Sequence, residues 1–173
     1  MHAADEWDVA MLFDRLAKER PAQAQFHERK YLSLLTQPVE SSGELAFTPP
    51  DRLEKRTISP NPETVVVDRR QIILERGGRK QTLELAENPG IAVLVESIRA
   101  TLAGDLASLS RAYSVQLSGH ASRWRLVLRP RDTSQTTVER IEINGAEAHV
   151  REVVIFQADG DRSVMTISSA ITR

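Results

Sequence analysis

At Asn88-Pro89-Gly90 the hydrophobic period of the chain changes from two residues to about 3.6, and near Tyr113 it changes back. Between these points Ile91, Leu94, Val95, Ile98 and Leu102 lie on one helical stripe, largely opposite Glu96, Ser97, Arg99 and Thr101. Gly104-Asp105 ends that helix and caps a shorter one, Leu106 to about Arg111. A helical pair therefore interrupts a chain that otherwise reads as strands, and the strands on either side must be arranged around it.

Before the interruption, Leu45 and Phe47 alternate with Glu44, Ala46 and Thr48, so one side of this strand is apolar. Pro49-Pro50-Asp51 follows as a corner, because proline donates no hydrogen bond to a ladder, and Leu53 restarts the chain towards Thr57. Thr64–Val67, Gln71–Arg76 and Arg79–Leu85 read as further strands, separated by turns at Asp68-Arg69-Arg70 and Gly77-Gly78. Upstream, Phe26–Leu35 is expected as the first strand, and Ser41-Ser42-Gly43 as a turn or bulge. Val9, Leu12, Phe13 and Leu16 recur at helical spacing behind Asp5 and Asp8, with Lys18 and Arg20 at the far end before Pro21.

After the interruption, Tyr113–Leu117, Arg123–Arg129, Val138–Ile143, Val150–Gln157 and Arg162–Ser169 are strands. Hairpins are expected at Asn144-Gly145 and Asp159-Gly160-Asp161. The sum is an α+β layout of about ten antiparallel strands with an N-terminal helix and a central helical insertion, enough strands to curl strongly beneath a lid or plug. At 173 residues the chain fits one domain, 1–173, with residues 1–7 expected as a flexible N-terminal tail.

Several chemistries are excluded early. The 23 basic side chains nearly balance the 24 acidic ones, so no strong field draws nucleic acid or an anionic membrane. Trp124 between Arg123 and Arg125 is accordingly a core tryptophan flanked by solvated arginines. There is no cysteine, which removes disulfides, thiolate catalysis and cysteine-based zinc sites. His2, His27, His120 and His149 have no ligand spacing, so neither metal nor cofactor is expected. Glu28 and Glu44 both fall on strands and could meet across a ladder, yet no nucleophile elbow, dinucleotide fingerprint or P-loop accompanies them. No apolar run approaches a membrane span, and Met1-His2-Ala3-Ala4-Asp5-Glu6 is not a signal region.

Phe26 in the first strand, Gly43-Glu44-Leu45-Ala46-Phe47 entering Pro50-Asp51-Arg52-Leu53, Val65-Val66-Val67-Asp68 before a hairpin, and the helix after Pro89 together resemble the periplasmic lipoprotein carrier family, LolA. The resemblance extends over most of residues 8–170 and carries no catalytic motif. It implies an unclosed barrel with a helical lid over a hydrophobic cavity, a non-enzymatic monomer in the periplasm whose signal peptide has been removed. Its partners would be an acylated cargo, lipoprotein or glycolipid, an inner-membrane exporter as donor and an outer-membrane acceptor. Well-studied carriers place an arginine directly before the proline of the corner, where it links sheet to lid; here Pro49 stands at that position and Arg52 follows three residues on.

On this resemblance Leu45, Phe47, Leu53, Ile73, Leu83, Leu85, Trp124 and Leu126 are the candidate cavity lining, and Ile91, Leu94, Val95, Ile98 and Leu102 the candidate lid. Alternating apolar residues in strands serve an ordinary core equally well. A periplasmic sensor or interaction domain, docking a protein partner on the same scaffold, is the alternative function, and an enzyme acting on acylated substrates is a third.

Overall fold

A computed structural model of the protein describes residues 7–18, 22–134 and 136–169. Helix α1 (Val9–Ala17) precedes β1 (Ala22–Tyr31), β2 (Val39–Thr48), β3 (Arg52–Ser59), β4 (Glu63–Asp68), β5 (Gln71–Arg76) and β6 (Arg79–Glu84). A 3-10 turn at Leu85–Glu87 leads into α2 (Pro89–Ala103) and α3 (Leu106–Ala112). Strands β7 (Tyr113–His120), β8 (Arg123–Pro130), β9 (Val138–Ala146), β10 (His149–Gln157) and β11 (Arg162–Ser169) follow.

The eleven strands form one antiparallel sheet ordered β6-β5-β4-β3-β2-β1-β11-β10-β9-β8-β7. Two meanders, β1–β6 and β7–β11, are joined where β1 pairs with β11 in a register that sets Phe26 opposite Ile167 and Glu28 opposite Met165. The edges β6 and β7 do not pair with each other, so the curled sheet stays an unclosed barrel. The 3-10 turn, α2 and α3 connect those two edges.

Three helix ends are chemically specified. The Asp8 carboxylate accepts from the Met11 N–H at 2.9 Å and starts α1, as expected from the sequence; Asp5, Arg20 and Pro21 lie outside the described residues. Gly104 ends α2 with φ of 71°, and a side chain there would collide with the backbone of Phe13 and Ala17, so α1 and α2 meet at closest approach. Asp105 caps α3, accepting from the Ser108 N–H at 3.1 Å and the Ser108 hydroxyl at 2.6 Å. These bonds hold its carboxyl below the usual carboxylate range, with Arg99 adding to the effect.

Three local expectations need correction, and a fourth is made specific. The first strand ends at Tyr31 rather than Leu35, and residues 32–38 form the loop to β2. Of the turn or bulge expected at Ser41-Ser42-Gly43, the structure has the bulge, inside β2, where the pairing with β3 shifts between Ser42 and Gly43. Asn144-Gly145 lies within β9, and the chain turns at Glu147 instead; the glycine is there because a Cβ would strike the Trp124 ring. Leu85 belongs to the 3-10 turn, not to β6.

The core is asymmetric. Leu12, Phe13 and Leu16 of α1, Ala100 of α2 and Leu109 of α3 pack with Tyr113, Trp124, Leu126, Leu128, Ile141 and Ile143 into one buried cluster on the inner face of β7–β9. Trp124 donates to the Glu147 carbonyl at 2.9 Å, which satisfies its only polar atom. Phe26, Phe47, Val67 and Ile72 are also buried, but lie on β1–β5, outside that cluster.

Tyr113 links the two helical and sheet layers by donating its hydroxyl to the Val93 carbonyl at 2.8 Å. Burial pushes its phenol from 10.0 up to about 12. A phenol with a folded pKa above its unfolded value stabilises the fold fully below pH 10 and loses that contribution as pH rises through about 12. Tyr113→Phe should therefore cost about 1 kcal/mol at pH 7 through the lost hydrogen bond. That deficit should close as the pH is raised from 10 towards about 12, read from urea midpoints of the two proteins.

Candidate functional site

Strand register defines the inner face residue by residue. Phe47 of β2 pairs with Leu53 of β3, Leu53 with Val67 of β4, Val67 with Ile72 of β5, and Ile72 with Leu83 of β6. This unbroken apolar row crosses five strands beside the Pro49-Pro50 corner. Two residues further from the corner runs a second row, Ala24, Leu45, Lys55, Val65, Leu74 and Gln81. Leu45, Leu53, Val65, Leu74 and Leu83 are only half-buried. Apolar surface left in water forgoes about 25 cal/mol per Å², so a half-covered apolar bowl favours an apolar ligand.

Five candidate lining residues meet on this side of the molecule: Leu45, Phe47, Leu53 and Leu83 on the strands, and Leu85, which lines the adjoining pocket from its turn. Ile73 does not join them. It pairs with Val66 and Thr82 and so points to the outer face, while its neighbour Ile72 takes the inner position. Trp124 and Leu126 do face inward, but they are 2% and 0% exposed beneath the helices and offer no free surface. Val67 and Ile72 complete the row and were missed because Val65-Val66-Val67 and Ile72-Ile73-Leu74 are continuous apolar runs with no alternation to assign a face.

The candidate lid stripe divides as well. Ser97, Ala100 and Thr101 are the buried positions of α2, and Val93 and Leu94 pack against the core cluster. Ser97 and Thr101 can be buried because their hydroxyls donate to the carbonyls of Leu94 and Ser97, each at 2.6 Å. Val95, Ile98 and Leu102 remain half-buried and Ile91 is exposed, leaving a second apolar stripe outside the core cluster.

Between α2 and the corner lies a pocket of about 350 Å³ lined by Val67, Leu85, Ala92, Val93, Val95 and Ala112, with Asp51, Arg69, Glu96 and Arg99 among its charged residues. Arg99 ties this region together. It makes a two-pronged bond to Glu96 at 2.8 and 2.6 Å, reaches Asp105 at 3.0 Å and donates to the Pro50 carbonyl at 3.1 Å. The Glu96 carboxylate strengthens its hold on the proton beyond that of an ordinary guanidinium, against the effect of burial. Arg52 takes no part; it pairs with Asp68 at 3.2 Å across β3 and β4. The link between corner and helix thus runs from the helix side, through Arg99.

Glu28 and Glu44 stand on opposite faces, since Glu28 pairs with Ser41 while Glu44 pairs with Gln25. Among the described residues no three His, Cys, Asp or Glu side chains come together as a metal site, and no helix is long and apolar enough to cross a membrane.

The chain is thus an unclosed antiparallel barrel with helices packed into one half of its inner face and a half-covered apolar bowl in the other. Residues 1–172 match the family model described as outer membrane lipoprotein carrier protein LolA-like, and the chain belongs to that family. It is similar to an outer-membrane lipoprotein carrier protein of Pseudomonas entomophila, 22% identical over 166 residues that cover 92% of this chain and 75% of that protein. Its fold is similar to a LolA superfamily protein from Nitrosomonas europaea, with a TM-score of 0.53 at 10% identity over 93% of this chain and 90% of the other. A DUF1329 family protein from Desulfovibrio piger shares the fold with a TM-score of 0.52 at 10% identity, over 96% and 92% of the two chains.

Arg99→Met keeps an unbranched apolar stem and removes all four donated bonds. Amide hydrogen exchange across residues 89–112 should then rise about tenfold, as expected for losing charge-assisted hydrogen bonds, while β8–β10 stay protected.

Proposed function

We propose that the chain is a non-enzymatic periplasmic carrier, working as one domain over residues 1–173, that holds the acyl chains of a lipoprotein or glycolipid. The observation that carries this reading is the uninterrupted row Phe47, Leu53, Val67, Ile72 and Leu83 on the half of the inner face that the helices leave partly uncovered. Leu45 and Leu85 extend the lining, and the stripe Ile91, Val95, Ile98 and Leu102 of α2 closes over the bound chain. Membership in the LolA-like family and the name of the Pseudomonas relative support the same cargo class.

The energetics suit a carrier. Each CH₂ moved from water into an apolar site gains about 0.8 kcal/mol, so a row five strands wide competes with a bilayer for an acyl chain. The pocket of about 350 Å³ falls at the small end of the ~300–1,000 Å³ range of ligand sites, which an opening of α2 would enlarge. Cargo passes from an inner-membrane exporter to an outer-membrane acceptor, so binding has to be reversible, and the Arg99 bond to Pro50 is the contact that opening breaks.

Displacement of a fluorescent fatty acid by unlabelled acyl chains tests the reading. Ile98→Ser should weaken binding about tenfold, the loss expected for one apolar side chain's contact, with the urea midpoint little changed. Equal loss of binding and stability would return Ile98 to the core. Absence of displacement together with a stably retained protein partner would assign the bowl to an interaction domain instead.

A further inference from the structure

Set into the inner face at the end away from the corner is a carboxylate that acyl binding does not require. Glu28 of β1 is 6% exposed. It accepts from the Lys55 ammonium at 3.2 Å and the Ser163 hydroxyl at 3.0 Å, and the Lys30 ammonium stands 3.8 Å away. Lys55 belongs to β3 and must cross β2 to reach it. Between them in β2 stands Gly43, paired with Phe26 and Thr57, which adds no side chain; a Cβ there would collide with the Arg56 carbonyl oxygen, so the glycine is required by the close approach of β3 at the bulge. The Lys55 ammonium lies over the Phe26 ring, 5.2 Å from its centroid.

A buried ion pair adds little stability compared with packed apolar side chains, so the cluster is poorly explained as a structural device. Its charge is unbalanced, with two ammonium groups around one carboxylate. The nearby inward pair Glu63 and Arg76 neutralises itself at 2.7 Å. Exposure decides which charge an incoming ligand meets. The Glu28 side chain is 8% exposed, whereas those of Lys55 and Lys30 are 30% and 52% exposed. Along the strands the inner face therefore grades from the fully apolar row at the corner, through Leu45 and Lys55, to Glu28 and Lys30.

We propose that Lys55 and Lys30, aligned by Glu28, bind the anionic head group, phosphate or carboxylate, of an amphiphile whose chain lies on the row Phe47, Leu53 and Val67. The proposal rests on the carrier reading and specifies its ligand.

Isothermal titration of the whole chain with probes of equal length, each below its micellar concentration, separates the possibilities. Dodecyl phosphate should bind about tenfold tighter than dodecanol, the gain expected from hydrogen bonds to a charged group. Lys55→Met should reduce that preference to about twofold or less while leaving dodecanol affinity unchanged, and Lys30→Met, at a more exposed side chain, should reduce it in the same direction should the first variant fold poorly. Equal affinity for dodecanol and dodecyl phosphate would overturn the head-group site and leave acyl binding standing. Inorganic phosphate binding as tightly as dodecyl phosphate would make it a free-phosphate site, and tighter binding of dodecyltrimethylammonium would assign it to Glu28; either result overturns the proposal. Failure of every amphiphile to bind would overturn it together with the carrier reading.

Discussion

Pairing of β1 with β11 governs the architecture. Without it there would be two independent meanders; with it, the free edges β6 and β7 fall at opposite ends of one sheet. The connection between those edges must then cross the curled sheet, and α2 and α3 are that crossing. Where they settle is decided by local shape. Gly145 leaves room for the Trp124 ring, and Gly104 lets α2 close on α1, so the helices pack into the half built from β7–β10. The opposite half keeps an apolar inner face with incomplete cover. One asymmetric core thus stabilises the fold and leaves the other half of the inner face partly uncovered.

The corner at Pro49-Pro50 takes its meaning from this arrangement. Its prolines carry no N–H, but the Pro50 carbonyl is free to accept, and Arg99 supplies the donor from α2. Carriers that this chain resembles are expected to place the arginine on the sheet, at the position held here by Pro49. Here the polar tie between corner and helix is donated from the helix side. The same guanidinium also binds Glu96 and the capping carboxylate Asp105, so loosening the corner acts on both helices.

Much of the fold was legible because alternation and turn chemistry agree. Leu45 and Phe47 announce an apolar face, Gly77-Gly78 a hairpin, and the shift of period after Pro89 a helix. Legibility failed where one principle masked another. In Val65-Val66-Val67 and Ile72-Ile73-Leu74 every position is apolar, so only the register separates Val67 and Ile72, which face inward, from Val66 and Ile73, which face outward. Asn144-Gly145 reads as a turn, yet the glycine is required by a tryptophan on the neighbouring strand. On α2 the most apolar stripe is not the most buried one, because Ser97 and Thr101 satisfy their hydroxyls within the helix and allow close packing. Glu28 was visible as a strand carboxylate, but its partners Lys55, Lys30 and Ser163 converge only through the pairing of β11, β1, β2 and β3.

The central claim is that the uncovered half of the inner face is a ligand surface rather than an imperfect core. Native mass spectrometry of the protein released gently from its own compartment tests it most directly, with the organic extract analysed alongside. The expected result is a stoichiometric acylated molecule that leaves when α2 is loosened by Arg99→Met. A homogeneous protein free of any acylated species, and unchanged by that substitution, would contradict it.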